Sequence, residues 1–408
     1  IIKSIEYFQS NQGSFLLNKI NMEAEELIAC IKELNIKIRL EITGALRRKM
    51  PIIDKIELIA NEPILHLPEK FITSTHSNSV ITGMWKEFFK TEIHISDNNK
   101  FANTLFETTG GSEEFTEFMN MDGAIEFNEE KEIFEYYNKN YIPAECRDMK
   151  NYISFDEKLL IEESDIKGVI HNHSTYSDGV YDLKSMSREC IRLGYSYLVI
   201  SDHSKTAGYA NGLSIERVEM QWREIDDLNK ELTPFKIFKS IESDILSDGS
   251  LDYPADILSG FDLVIASIHS NLKMDQEKAM MRLINAIENP FTTILGHITG
   301  RLLLSRRGYP VDHERLIDCC ALHGVSIELN ANPVRLDMDW TWIPYAENKG
   351  VLISINPDAH NLKGIQDIKF GVAAARKGGL TKVNCLNAKS LEEFESYINV
   401  KKNAFIKH

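Results

Sequence analysis

Short apolar runs, each closed by a histidine or an acid, recur along the second part of this chain. They read Val169-Ile170-His171-Asn172-His173, Tyr197-Leu198-Val199-Ile200-Ser201-Asp202-His203 and Phe238-Lys239-Ser240-Ile241-Glu242. Three more are Leu263-Val264-Ile265-Ala266-Ser267-Ile268-His269, Thr293-Ile294-Leu295-Gly296-His297 and the stretch from Val351 through Pro357-Asp358-Ala359-His360. Amphipathic segments at 182–194, 215–231, 275–288 and 312–323 lie between them. Strand-length apolar runs alternating with helix-period segments predict βα units and a parallel sheet. From 166 onward there are seven runs, the sixth being Val325-Ser326-Ile327-Glu328-Leu329-Asn330.

The first part reads differently. Residues 1 to about 35 are expected to be helical, with Met22 to Ile31 placing apolar groups on one stripe. Short strands are expected at Ile36 to Ile42, Lys55 to Ala60 and Thr91 to Ile95. A Gly/Ser/Thr cluster at Thr108 to Ser112 precedes an acidic helix at Phe127 to Tyr137. Within it, Glu129-Glu130-Lys131-Glu132 reads as a solvated face.

The titratable ends of the runs change the picture most. Six histidines (His171, His173, His203, His269, His297, His360) and three acids (Asp178, Glu242, Asp358) fall at or just after the C-terminal end of a run. In an α/β barrel that face carries the chemistry, because the strand-to-helix loops converge there. Imidazole and carboxylate suit Zn²⁺, Mn²⁺ or Fe. Nine such groups are too many for one ion, which points to a multinuclear metallohydrolase. No Ser/His/Asp or Cys/His arrangement competes, and no organic cofactor is expected. His313 and His323 read as surface or helix-packing groups, and His66, His76 and His408 lack metal-like neighbours. Trp340 and Trp342 read either as stacking on a base or as packing at the barrel rim, and are left out of the candidate site.

With 408 residues, two or three domains are expected. No apolar run reaches the roughly 18 to 20 residues needed to span a bilayer. Six cysteines without CxxC spacing read as reduced thiols of a cytoplasmic protein. The opening Ile1-Ile2-Lys3 reads like mid-protein sequence, so a fragment is expected. A net charge of -15 excludes a general basic surface for nucleic acid. Any grip on phosphate must be local, with Arg301, Arg306, Arg307 and Arg335 as candidates.

His171-Asn172-His173, Ser201-Asp202-His203-Ser204, Ile241-Glu242, Ser267-Ile268-His269-Ser270, Gly296-His297-Ile298-Thr299-Gly300-Arg301 and Pro357-Asp358-Ala359-His360 together resemble the PHP (polymerase and histidinol phosphatase) domain. The likeness is to the version in bacterial family X DNA polymerases (PolX). It extends to Tyr209-Ala210-Asn211-Gly212-Leu213, Asp248 to Asp252 and Asn330 to Asp337, covering about 166 to 395. Ile298 and Pro357 depart from the usual pattern, but neither is a ligand.

The resemblance implies an α/β fold: a distorted (βα)₇ barrel preceded by a smaller α+β nucleotidyltransferase-like palm and thumb remnant. It implies two to three divalent ions (Zn, Mn or Fe, with Mn activating). One would take His171, His173, Glu242 and Asp358. A second would take Glu242, His269 and His297, and a third Asp178, His203 and His360. A metal-activated water held by Glu242, His269, His171 and His173 would attack phosphate, with Arg301, Arg306 and Arg335 contacting substrate.

Gly44-Ala45-Leu46-Arg47-Arg48 followed by Asp54-Lys55-Ile56-Glu57 resembles the polymerase palm motif, with Lys55 and Glu57 in place of the first two metal aspartates and His94 at the third. An ammonium at the first position repels a metal, so nucleotidyl transfer is expected to be lost; Asp54 is a register-shifted alternative ligand. Tyr141 to Arg147 resembles the thumb-to-PHP junction, and the helix-hairpin-helix region of the family is expected to be absent. The implied organisation is 1–35 fingers remnant, 36–105 degenerate palm, 106–148 thumb-like segment, 149–165 linker and 166–408 PHP domain. The implied activity is 3′-5′ exonuclease action on DNA in repair, on single strands or 3′ ends. Alternatives are a PHP-type phosphomonoesterase on a small metabolite, resembling histidinol phosphatase, and a non-catalytic DNA-binding scaffold.

Overall fold

The computed structural model describes Tyr7 and residues 9–121, 125–152 and 155–405. Residues 1–6 and 8 of the expected opening helix, and His408, lie outside the described residues. The chain divides into two compact units. One reaches Leu160 and includes Leu303–Ser305; the other comprises Ile161–Leu302 and the chain from Arg306 onward.

In the first unit the helix Leu17–Leu34 buries Leu17, Ile20, Ala24, Leu27 and Ile31, a stripe of three- and four-residue steps. A small ribbon pairs β1 (Phe15–Leu16) with β3 (Ile52–Ile53). The main sheet holds β2 (Leu40–Ile42), β4 (Ile56–Ala60), β5 (Phe71–His76), β6 (Val80–Trp85) and β7 (Phe89–Ile95), in the order β2-β4-β7-β6-β5. β4 and β7 are parallel, and Glu57 sits beside Glu92 in that register. The strand expected from Ile36 begins only at Leu40, because Ile38 bonds back to Asn35 as the chain turns out of the helix. The β5–β6 hairpin escaped the pattern because only Phe71 of β5 is buried. One expectation is overturned. The helix Glu130–Tyr136 does not present Glu130 to solvent; its carboxylate is buried between Arg47 (2.7 and 2.8 Å) and Arg147 (2.9 Å).

The second unit has seven parallel strands, β8 (Gly168–Asn172), β9 (Tyr197–Ile200), β10 (Lys236–Asp244), β11 (Leu263–Ser267), β12 (Thr292–Leu295), β13 (Ser326–Asn330) and β14 (Ile353–Asn356), neighbours in chain order. The edges meet where Asn172 bridges Ala359, with the His173 N–H donating to Ala359 O at 2.9 Å. The result is a nearly closed (βα)₇ barrel. Nearly every strand residue is buried, as expected for a parallel sheet covered on both faces. The intervening helices Leu183–Arg192, Ile215–Glu231, Gln276–Glu288 and His313–His323 match the amphipathic stretches closely. Asp182, Asp275 and Asp312 cap three of them by accepting from a backbone N–H three residues on. Phe394 and Ile398 of the last helix, Leu391–Phe405, join Ile170, Val199, Phe238, Ile265 and Ile294 in one apolar cluster. The strand C-termini are left for polar groups.

Candidate metal centre

All nine suspected ligands lie at those C-termini. His171 and Glu242 are on β8 and β10, and the others follow their strands. The backbone at His171 (φ 62°) and Asp358 (φ 52°) is left-handed, a strained conformation for residues with a Cβ. Gly179 completes the turn that brings Asp178 in; a Cβ there would lie 2.4 Å from His173 O.

Glu242 is the hub. Its carboxylate oxygens stand 2.9 Å from His297 Nε2, 2.9 Å from His203 Nδ1, 3.1 Å from His269 Nε2 and 3.3 Å from His171 Nε2. Asp358 Oδ1 is 3.1 Å from His173 Nε2 and 3.8 Å from His171 Nε2. Asp178 lies 3.4 Å from His360 Nε2 and 3.8 Å from both His173 and His203. Three sets bring one atom per residue within 4.8 Å of each other: His173, Asp178, His203 and His360; His171, His173 and Glu242; and His203, Glu242 and His269. His173 and His203 are therefore shared between groups, a sharing absent from the division expected from the sequence.

The donor set fits divalent cations. His171 Nε2, both ring nitrogens of His173, His203 Nδ1, His297 Nδ1 and Glu242 Oε2 are buried without a hydrogen-bond partner. Orphan polar atoms cost free energy in the interior unless something coordinates them. Burial alone would raise the Glu242 carboxyl, but the imidazoles of His269, His171 and His203 hold it well below the usual range. Burial would likewise raise Asp178, yet His360 and His173 hold it at about 2. Burial would lower His269, but Glu242 and Asp244 overcome this and raise it to about 10. His360 rises to about 9 against its own burial, through Asp178 and Asp358. His173 goes the other way, to about 3, because burial is reinforced by His203 and His360.

Three further acids were passed over in the sequence. Asp202 accepts from Ser174 N–H (2.8 Å), Ser177 N–H (3.1 Å) and both hydroxyls, pinning the loop that carries Asp178. Asp244 bonds His269 Nδ1. Glu328 bonds His171 Nδ1 at 2.5 Å. The only sequence signal for these was an acid inside or just beyond a buried run.

Of the candidate substrate arginines, Arg335 points at the cluster, its Nε 3.6 Å from Asp358 Oδ2. Arg301 is engaged within the protein. It donates to Arg335 O (2.9 Å) and Leu336 O and pairs with Asp339 at 2.7 Å. Arg306 donates twice to Gly300 O, at 2.9 and 3.1 Å. His313 stacks on Trp342 with centroids 4.7 Å apart.

The first unit holds a smaller group, Glu57, Glu92 and His94. Here the Lys55 Nζ lies 2.8 Å from Glu57 Oε1 and 2.8 Å from Glu92 Oε2. Glu92 was missed in the sequence; it faces Glu57 across the β4–β7 pair, with His94 one pleat further on. Asp54 is exposed and outside this group. Among the described residues no helix is long and apolar enough to cross a membrane.

The chain is similar to the DNA polymerase/3′-5′ exonuclease PolX of Bacillus subtilis (strain 168), with 43% identity over 274 residues, 67% of this chain. It spans about half the length of that relative, 48%. A probable phosphatase of Thermoanaerobacter sp. (strain X514) is 25% identical over 244 residues, 57% of this chain and 94% of the phosphatase. A solved histidinol phosphate phosphatase from Lactococcus lactis, complexed with zinc, L-histidinol and phosphate, is 17% identical with a TM-score of 0.40. That likeness covers 52% of this chain and 94% of that one. No protein-family model matches the chain.

Proposed function

We propose that the barrel is a metal-dependent phosphodiesterase that removes nucleotides from DNA 3′ ends, with single strands preferred. One observation carries the reading: six imidazoles and two further carboxylates gather about the buried Glu242, and ring nitrogens of His171, His173, His203 and His297 are buried there without a hydrogen-bond partner. The similarity to a 3′-5′ exonuclease supplies the substrate class. Divalent cations held by His171, His173, Asp178, His203, Glu242, His269, His297, Asp358 and His360 would furnish hydroxide at neutral pH and neutralise the scissile phosphate. Glu242, which belongs to two of the groups, would be shared between neighbouring cations. Asp178 and Asp358 keep their charge and so balance cations rather than protons. Arg335, beside Asp358, takes a non-bridging phosphate oxygen, whereas Arg301 and Arg306 shape the loop that presents it. Nucleotidyl transfer by the first unit is lost, because Lys55 occupies the place between Glu57 and Glu92.

A second reading, hydrolysis of a small phosphomonoester, draws on the probable phosphatase that aligns over 94% of its length. Incubating a 5′-labelled single strand and a panel of small phosphate esters with Mn²⁺ separates the two. A ladder of strands shortened from the 3′ end supports the exonuclease. Free phosphate from the esters with intact DNA overturns it in favour of the second reading.

A further inference from the structure

Glu328 lies on β13, fully buried, and its carboxylate faces only donors. Oε2 is 2.5 Å from His171 Nδ1 and accepts from Asn356 Nδ2 at 2.8 Å. Oε1 accepts from the His297 N–H and from Asn330 Nδ2, both at 3.0 Å. Asn330 Nδ2 in turn reaches Asp358 Oδ2 at 3.1 Å. One side chain thus touches a suspected ligand ring, the backbone of a second ligand and the amide that steadies a third.

The contact to His171 is chemically directional. A carboxylate accepts, so the shared proton belongs on His171 Nδ1, and with a cation held beside Glu242 and Asp358 the Nε2 lone pair would be free to face it. A ring with its proton on Nε2 could not coordinate there. The same device recurs one strand group away, where Asp244 bonds His269 Nδ1 while His269 Nε2 faces Glu242. Asp244 is itself held by Thr206 Oγ1 (2.8 Å), and its N–H donates to Ser204 Oγ at 2.9 Å.

We infer that Glu328 is a positioning residue of the metal centre: it fixes the tautomer and orientation of His171 and sets His297 and Asp358 in register, without binding a cation itself. The inference rests on the cluster holding cations, as proposed above. Carboxylates that orient ligating histidines raise ligand basicity and lock ring geometry, and removing them weakens metal affinity by about 10- to 100-fold.

Glu328→Gln is a sharp probe because it is isosteric. Whichever way its amide turns, the NH₂ must face two donors. It therefore loses either the His171 contact or the His297 and Asn330 contacts. The full chain, wild type and Glu328→Gln, would be titrated with Mn²⁺ by equilibrium dialysis, with circular dichroism and thermal melting recorded on both. Affinity lowered about 10- to 100-fold in a variant that melts as a folded protein is the expected result. Equal affinity and stoichiometry in the two proteins overturns the inference. A wild type that takes up no Mn²⁺ instead sinks the metal reading itself. Histidine-selective ¹⁵N NMR of the Zn²⁺-loaded wild type decides the point even if the variant fails to fold. A directly bonded proton on His171 Nδ1 is expected, and a proton on Nε2 overturns the inference.

Discussion

Two clusters of the same residue types sit in the two units of this chain, and they have been completed in opposite ways. In the first unit Glu57 and Glu92 share the ammonium of Lys55, at 2.8 Å from each. The protein supplies its own cation there, and the Lys55 side chain remains 35% exposed. In the barrel, Glu242 is 1% exposed and is surrounded by imidazoles, several with an unpartnered nitrogen. Among the described residues no lysine pairs with that cluster. A carboxylate pair already satisfied by a tethered ammonium gains little from a dissolved ion. A buried constellation of lone pairs and carboxylates gains a great deal, because its orphan groups cannot return to water. The residue inventory is similar, and the source of positive charge differs.

Removing the hub should produce the largest effect. Glu242→Gln is expected to cut phosphodiester hydrolysis by on the order of 10³-fold, read as kcat/KM with Mn²⁺ present. Near-wild-type turnover in that variant would remove the barrel cluster from the chemistry. Arg335→Ala comes next, with kcat/KM lowered about 10- to 100-fold, the worth of a charged hydrogen bond to phosphate. Arg301→Ala should act differently, through a lowered melting temperature, because its guanidinium is spent on Arg335 O, Leu336 O and Asp339. Identical kinetic signatures for the two arginines would blur that distinction.

Acidity offers a third contrast. In the ion-free barrel His269 and His360 hold their protons up to about 10 and about 9. A cation must displace those protons, so binding releases them and its affinity rises with pH. The rise should continue from pH 6.5 to 8.5, approaching about tenfold per unit for each proton released. A profile that levels near pH 6.5, the value of an ordinary histidine, would contradict the anionic field described for this cluster. The smallest effect is a gain. Replacing the tethered ammonium by Lys55→Met in a Glu242→Ala background should let Glu57, Glu92 and His94 take up about one Mn²⁺ per chain beyond what Glu242→Ala alone retains. Electron paramagnetic resonance titration would detect it. No uptake would mean that geometry, as well as Lys55, closes that site.

Much of this was legible before the fold. The alternation of apolar runs and amphipathic segments specifies the barrel, because each parallel strand is buried on both faces and each helix on one. The nine suspected ligands stood out because histidine and acid at the end of an apolar run have few structural uses. Asp202, Asp244 and Glu328 were not legible, since an acid near a strand looks the same whether it touches a ligand or solvent. Their roles depend on which strand lies next to which. The sharing of His173 and His203 between groups has the same origin. Glu130 illustrates the converse failure: within a charged run nothing marks the one residue that two arginines will bury. The β5 strand was invisible because its faces lack an apolar alternation.

The most direct test of the contrast between the clusters is a count of bound metal. After equilibrium dialysis against Mn²⁺, the wild-type chain should retain roughly two to three ions, as a multinuclear hydrolase centre requires. Glu242→Ala should retain at most about one, at the His173, Asp178, His203 and His360 group that does not use Glu242, because Lys55 leaves the first unit without a competing site. An unchanged count in Glu242→Ala would place the cations elsewhere and contradict the account.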